Sequence, residues 1–142
     1  MKEIHSYWAY LVLAMLVFAV FNAISGLSKK RDFTDKDVRI GLFTLIVSHI
    51  QLLIGLGWYF MSPYYKALKA DAGEVMGNAA TRLLAVEHPI MMVLAIVFIT
   101  IGWSKHKKKT AAADKFKSFA IFYGIGLVFV LSRIPWNQWF QF

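Results

Sequence analysis

Cysteine is absent from the sequence, and acidic residues are few. Without thiols the chain cannot form disulfides, hold an iron–sulfur cluster, attach a c-type haem or build a cysteine-based zinc site. Asp and Glu number 8 against 16 Lys and Arg, which gives a formal net charge of +8. The basic residues cluster in two loops between apolar runs, which is the pattern of cytoplasmic membrane loops. We therefore expect a lipid bilayer as a partner and no nucleic acid.

Hydrophobic residues make up 58% of the 142 residues and aromatic residues 16%, which is too apolar for a soluble domain of this length. Four apolar runs approach the roughly 20 residues that a helix needs to cross a bilayer. The predicted fold is an all-α, four-transmembrane-helix bundle that forms a single integral membrane domain, residues 1–142. We expect its helices at about residues 6–27, 40–61, 83–103 and 118–136.

Charge alternates along the loops between these predicted helices. Residues 28–39 and 104–117 carry five and six Lys or Arg, whereas residues 62–81 carry two. The positive-inside rule places the two basic loops in the cytoplasm, so both termini lie on the non-cytoplasmic side. We predict a multi-pass protein of the bacterial cytoplasmic (inner) membrane. Ser62-Pro63 favours a turn or a helix start, and Tyr64–Val75 is suited to a short surface helix.

Four polar side chains lie at or near membrane depth in this topology. His49 is near the middle of the second span, and His88 and Arg133 are in the outer halves of the third and fourth. His5 is at the outer edge of the first. A charged group at the bilayer centre costs ~2.5 kcal/mol or more, so such residues need a partner or a function. Pro89, directly after His88, is expected to loosen the helix there.

Two imidazoles at similar depth on neighbouring helices are what a b-type haem requires as axial ligands. The candidate iron ligands are His49 and His88, and His5 is expected to support the haem without binding its iron. The sequence leaves open whether His5 replaces His49 as a ligand. Arg133 is suited to a haem propionate, or alternatively to an ion pair with Glu87. The alternative for a membrane histidine is a hydrogen bond between helices without any cofactor.

A stripe of polar and small residues on the second helix lies on a different face from His49. At about 100° per residue, His49 points roughly 130° away from the centre of this stripe. Either His49 faces a cofactor while the stripe packs on a neighbouring helix, or the reverse holds. The stripe consists of Thr44, Ser48, Gln51 and Gly55.

Small residues offer room for a porphyrin, and a fourth histidine lies in a loop. Gly57, Gly124 and Gly126 could leave space between helices for a haem. His106, which lies among loop lysines, is expected to be solvated.

Several short motifs occur together in a fixed order: His5-Ser6, His49 to Gly55 (HIQLLIG), Glu87-His88-Pro89 followed by Met91 and Met92, and Ile134-Pro135-Trp136. This set, which spans nearly all of the chain, resembles a family of small four-helix bacterial membrane proteins commonly labelled "cytochrome B". The resemblance implies a bound b-type haem. The family often has an arginine soon after the first His-Ser, where this chain has Trp8-Ala9-Tyr10.

Three functions follow as hypotheses. The first is a membrane cytochrome that binds one haem b between helices two and three and transfers electrons, with a quinone near the outer face as a partner. The alternative is a cofactor-free small structural subunit of a larger respiratory or other membrane complex. The third is a haem-dependent redox enzyme, such as a quinone-linked oxidase of a porphyrin. The sequence assigns no catalytic residue.

Overall fold

Four long helices dominate the computed structural model, which describes residues 2–135, with side chains from residue 3 onward. These helices are long and apolar enough to cross a membrane, and the described residues contain no strand. The all-α fold with four candidate spans is therefore confirmed, whereas the side of the termini stays a prediction. The long helices are α1 (Lys2–Ser28), α2 (Asp35–Met61), α5 (Ala79–Lys107) and α6 (Ala112–Ser132). The second loop holds α3 (Pro63–Ala70) and α4 (Ala72–Gly77).

Helix α2 begins five residues before its predicted start because Asp37 caps it. The Asp37 carboxylate accepts a hydrogen bond from the Thr34 backbone N–H at 2.9 Å, which satisfies a donor at the helix start. The same carboxylate accepts from Asn22 at 2.7 Å and lies 3.4 Å from Arg31. Asp37 is only 2% exposed. This buried group therefore fastens the first loop and α2 to the end of α1.

The last helix and the second loop also differ from their predicted bounds. Helix α6 begins six residues early and ends at Ser132, before Pro135. Trp136, predicted to close this helix, lies outside the described residues. In the second loop the expected surface helix is present but broken into α3 and α4 at Asp71, and the Ser62 hydroxyl caps α3 by accepting from the Tyr65 N–H.

The expectation that His106 is solvated is wrong. His106 is 4% exposed and lies 4.5 Å, between ring centres, from both Trp103 and Phe119. Its Nδ1 donates to the Trp103 carbonyl at 2.5 Å. The ring is buried because the loop after α5 is short. The start of α6 therefore packs against the end of α5, and Phe119 of α6 covers the His106 ring.

Gly126 serves close packing between α5 and α6. A β carbon at this position would lie 2.8 Å from Ile99 Cγ1 and 3.2 Å from the Ala95 carbonyl oxygen. Small residues of this kind let transmembrane helices approach each other closely. Two residues earlier, a β carbon on Gly124 would meet no atom within 4 Å. The room that Gly126 offers is therefore occupied by α5.

These two glycines give a matched pair for a stability test. Gly126→Leu should lower the free energy of unfolding by about 1–3 kcal/mol, because the new side chain overpacks the α5/α6 contact. Gly124→Leu should leave it unchanged or raise it slightly, since its position is open. Reversible unfolding in mixed detergent micelles measures both, and equal destabilisation by the two substitutions would contradict the packing described here.

Candidate functional site

A break in the helical hydrogen bonding of α5 precedes His88. The helix widens into a π-helical turn over Leu83–Glu87, where the His88 N–H bonds to the Leu83 carbonyl. Pro89 has no N–H, so the carbonyl of Ala85, four residues earlier, loses its usual helical donor. The Tyr59 hydroxyl of α2 donates to that carbonyl at 2.6 Å. An unsatisfied backbone group in hydrocarbon costs several kcal/mol. The Tyr59 hydroxyl therefore replaces the hydrogen-bond donor that Pro89 cannot provide.

A second backbone carbonyl that has no helical donor orients His88. Its Nδ1 lies 2.9 Å from the carbonyl oxygen of Arg133, directly after the end of α6. A carbonyl oxygen only accepts, so Nδ1 carries the proton and donates it. In the neutral ring this leaves the lone pair on Nε2. Histidines that bind metals are commonly held in this way, by donating the other ring N–H to a carbonyl or carboxylate.

His5 of α1 is the imidazole that faces His88. The two ring centres are 6.2 Å apart, and the ring planes are nearly perpendicular, at 89°. Gly55 of α2 makes room for His5, because a β carbon there would lie 3.1 Å from its Cε1 atom. The Gln51 side-chain amide donates to the His5 backbone carbonyl at 2.9 Å, which fixes the start of α1 against α2.

His5 and His88 line one cavity of about 370 Å³ between α1, α2, α5 and the end of α6. This volume is within the range of small-molecule and cofactor sites. Most of the lining is apolar, with side chains such as Leu52, Leu56 and Met92.

Unpaired polar atoms are concentrated at this cavity. Among the described residues, three buried side-chain atoms have no hydrogen-bond partner, and all three belong to residues that line it. A buried polar atom without a partner is costly, so native proteins rarely leave one without a reason. A bound molecule with polar groups would satisfy them. The atoms are His5 Nδ1, Ser48 Oγ and Gln51 Oε1.

His49 is not among the residues that line the cavity. Its Nδ1 donates to the Leu45 carbonyl at 2.8 Å, and its Nε2 lies 3.4 Å from the Thr100 hydroxyl oxygen on α5. Here His49 is a polar link between helices, the alternative that the sequence left open. The structure does not bring the predicted ligand pair of His49 and His88 to one cavity; it brings His5 to His88.

The stripe on α2 packs on α1, and its C-terminal part lines the cavity. Thr44 and Ser48 are completely buried, and the Thr44 hydroxyl lies 3.3 Å from the Met15 carbonyl of α1. Ser48, Gln51 and Gly55 line the cavity. The polar face of α2 and the face that carries His49 therefore have separate roles.

The guanidinium of Arg133 has Glu87 as its carboxylate partner. Arg133 Nε lies 3.9 Å from Glu87 Oε1, and Arg82 Nε lies 3.2 Å from Glu87 Oε2. All three side chains are about one-third exposed or slightly more, so these pairs contribute little stability. The contribution of Arg133 to the cavity is its backbone carbonyl, which accepts the hydrogen bond that orients His88.

Sequence reasoning missed two parts of this site: the Tyr59 hydroxyl and the Arg133 carbonyl. The position of Pro89 identifies the Ala85 carbonyl as the group that needs a donor. The identity of the donor depends on how α2 packs on α5, which no local pattern shows.

Comparison of the chain with protein-family profiles, curated proteins and solved structures gave no match.

Proposed function

We propose that the cavity binds a b-type haem that His5 and His88 would hold, and that the protein transfers electrons in the membrane. The observation that carries this proposal is the 6.2 Å separation of the two rings at one cavity. Two imidazoles that would hold one metal ion between them would have ring centres about 6 Å apart, since each metal–nitrogen bond is about 2 Å long and each nitrogen is a further step from its ring centre. The observed pair has this spacing before any ligand is added.

The residues at the cavity fit such a group. His5 and His88 would hold the iron of such a group from two helices. The Arg133 carbonyl holds His88 with Nε2 available as a ligand. Apolar walls favour the macrocycle and exclude water, which helps to set the redox potential.

The chain and the cofactor have separate tasks in this proposal. A bound haem supplies one-electron oxidation and reduction at iron. The chain supplies the two imidazoles and the hydrogen bonds that orient them. The Tyr59 contact with Ala85 keeps the π-helical turn before His88 in place. We assign no catalytic residue.

The unpaired polar atoms favour a second candidate for the same cavity, an isoprenoid quinone. The Ser48 hydroxyl is suited to donate to a quinone carbonyl, and Gln51 Oε1 is suited to accept from a quinol hydroxyl. The apolar lining would accommodate the isoprenoid tail. This occupant needs no metal ligand, so the two candidates are distinguishable by spectroscopy.

The location is also a proposal, supported by the four apolar helices and by the charge of the loops. It places the protein in a bacterial cytoplasmic membrane with both termini outside. Because the chain lacks cysteine, single substitutions can report the side of each loop. A membrane-impermeant maleimide should label Gly73→Cys on intact cells and should label Lys108→Cys only after lysis. The reversed pattern would contradict this topology.

Spectra of the purified protein test the haem proposal. In mild detergent, the dithionite-reduced protein should show a sharp α-band and a shifted Soret band. His5→Ala and His88→Ala should each lower haem content at least about tenfold, since even the outer partners of a metal ligand are worth that much. His49→Ala is the matched control, a membrane histidine outside the cavity, and should retain the haem.

Each other outcome has a definite meaning. Loss of haem in His49→Ala with retention in His5→Ala would overturn the ligand assignment and favour the pair predicted from sequence. A colourless protein that carries extractable quinone would support the second candidate. A folded protein without either molecule would indicate a cofactor-free subunit of a larger membrane complex.

A further inference from the structure

A basic recess lies at the end of α5 that is opposite to His88. It has a volume of about 290 Å³ and is formed by the last turn of α5, the loop after it and the first three turns of α6. We call it the lysine recess. Its lining residues are Lys105, Lys109, Asp114, Lys117, Ser118, Ile121 and Phe122.

The lysine recess carries positive charge that the protein itself does not neutralise. Three lysines face one aspartate there, and in the described part of the chain every ion pair within 4.0 Å involves an arginine. Lys105, Lys109 and Lys117 are all exposed, and only Lys105 has a ring nearby, with its ammonium 5.8 Å from the centre of Phe122. The recess is therefore complementary to an anion.

An apolar surface continues from the lysine recess along α5 and α6. The Phe122 ring stacks on Phe98 with centres 6.4 Å apart, and Phe98 lies 5.4 Å from Phe129. Val97 and Ile121, which precede Phe98 and Phe122 in sequence, are 45% and 44% exposed. We call the three phenylalanines the aromatic column. A small anion would use the recess alone, whereas a lipid with an anionic headgroup would use both the recess and the column.

We propose that the lysine recess binds the phosphate of an anionic phospholipid, with an acyl chain lying along the aromatic column. Lysines at the end of a transmembrane helix attract anionic lipid, and basic pockets between such helices bind lipid headgroups. The site is separate from the cavity of His5 and His88, so it does not rest on the function proposed for that cavity.

Lipid retention tests this site directly. The purified protein is equilibrated with equal amounts of phosphatidylglycerol and phosphatidylcholine of the same chain length, and bound lipid is counted by native mass spectrometry. The native chain should retain phosphatidylglycerol preferentially. In the triple variant Lys105→Gln, Lys109→Gln and Lys117→Gln, the ratio of bound phosphatidylglycerol to bound phosphatidylcholine should fall at least about fivefold.

The control is a triple variant in the other basic loop, Lys29→Gln, Lys30→Gln and Lys36→Gln. It removes the same charge and should keep the preference. Equal retention of the two lipids by the native chain, or an equal loss in both triple variants, would overturn the proposal.

Two further arms separate a lipid site from a phosphate site. Inorganic phosphate, added at the concentration of the lipid, should not displace phosphatidylglycerol; displacement would show that the recess recognises phosphate without the lipid. Phe98→Ala, which leaves the lysines intact, should weaken retention of phosphatidylglycerol by shortening the apolar contact. Unchanged retention in that variant would contradict the proposed contact between the acyl chain and the aromatic column.

Discussion

The carbonyl oxygen of Ala85 is the constraint on which the His88 end of this bundle depends. Ala85 is 2% exposed, and Pro89 cannot supply the N–H that an uninterrupted helix would offer. In a hydrocarbon environment no water replaces that donor, so another part of the chain must. The Tyr59 hydroxyl does so at 2.6 Å, which joins α2 to α5 at the π-helical turn and fixes the backbone immediately before His88.

The proposed cofactor site follows from that fixed backbone. His88 uses one ring nitrogen for the Arg133 carbonyl, and its ring lies 6.2 Å from that of His5. Gln51 and Gly55 of α2 hold His5 in place from the other side. Interruptions of regular backbone hydrogen bonding thus orient His88 at the cavity, while large side chains such as Phe21 and Leu53 remain exposed on the surface. The lysine recess at the other end gives the bundle a second, oppositely placed polar site.

The spans could be predicted from sequence because bilayer thickness sets the length of an apolar helix, and the loosened backbone near Pro89 follows from proline chemistry. The choice of His5 rather than His49 as the histidine that faces His88 could not. It depends on how each helix is rotated about its axis, and helices that are apolar on nearly all sides show no face from which to infer that rotation. His106 was misjudged for a related reason: its neighbours in sequence are lysines, whereas its neighbours in space are aromatic rings.

A double-mutant cycle on Tyr59 and Pro89 tests the central claim most directly, with the free energy of unfolding in mixed micelles as the measured quantity. Tyr59→Phe alone should cost about 1–3 kcal/mol, because it leaves the buried Ala85 carbonyl unpaired. In the Pro89→Ala background it should cost clearly less, since the new backbone N–H at position 89 can donate to that carbonyl. The same cost in both backgrounds would show that Tyr59 does not replace the missing helical hydrogen bond, and would contradict the account.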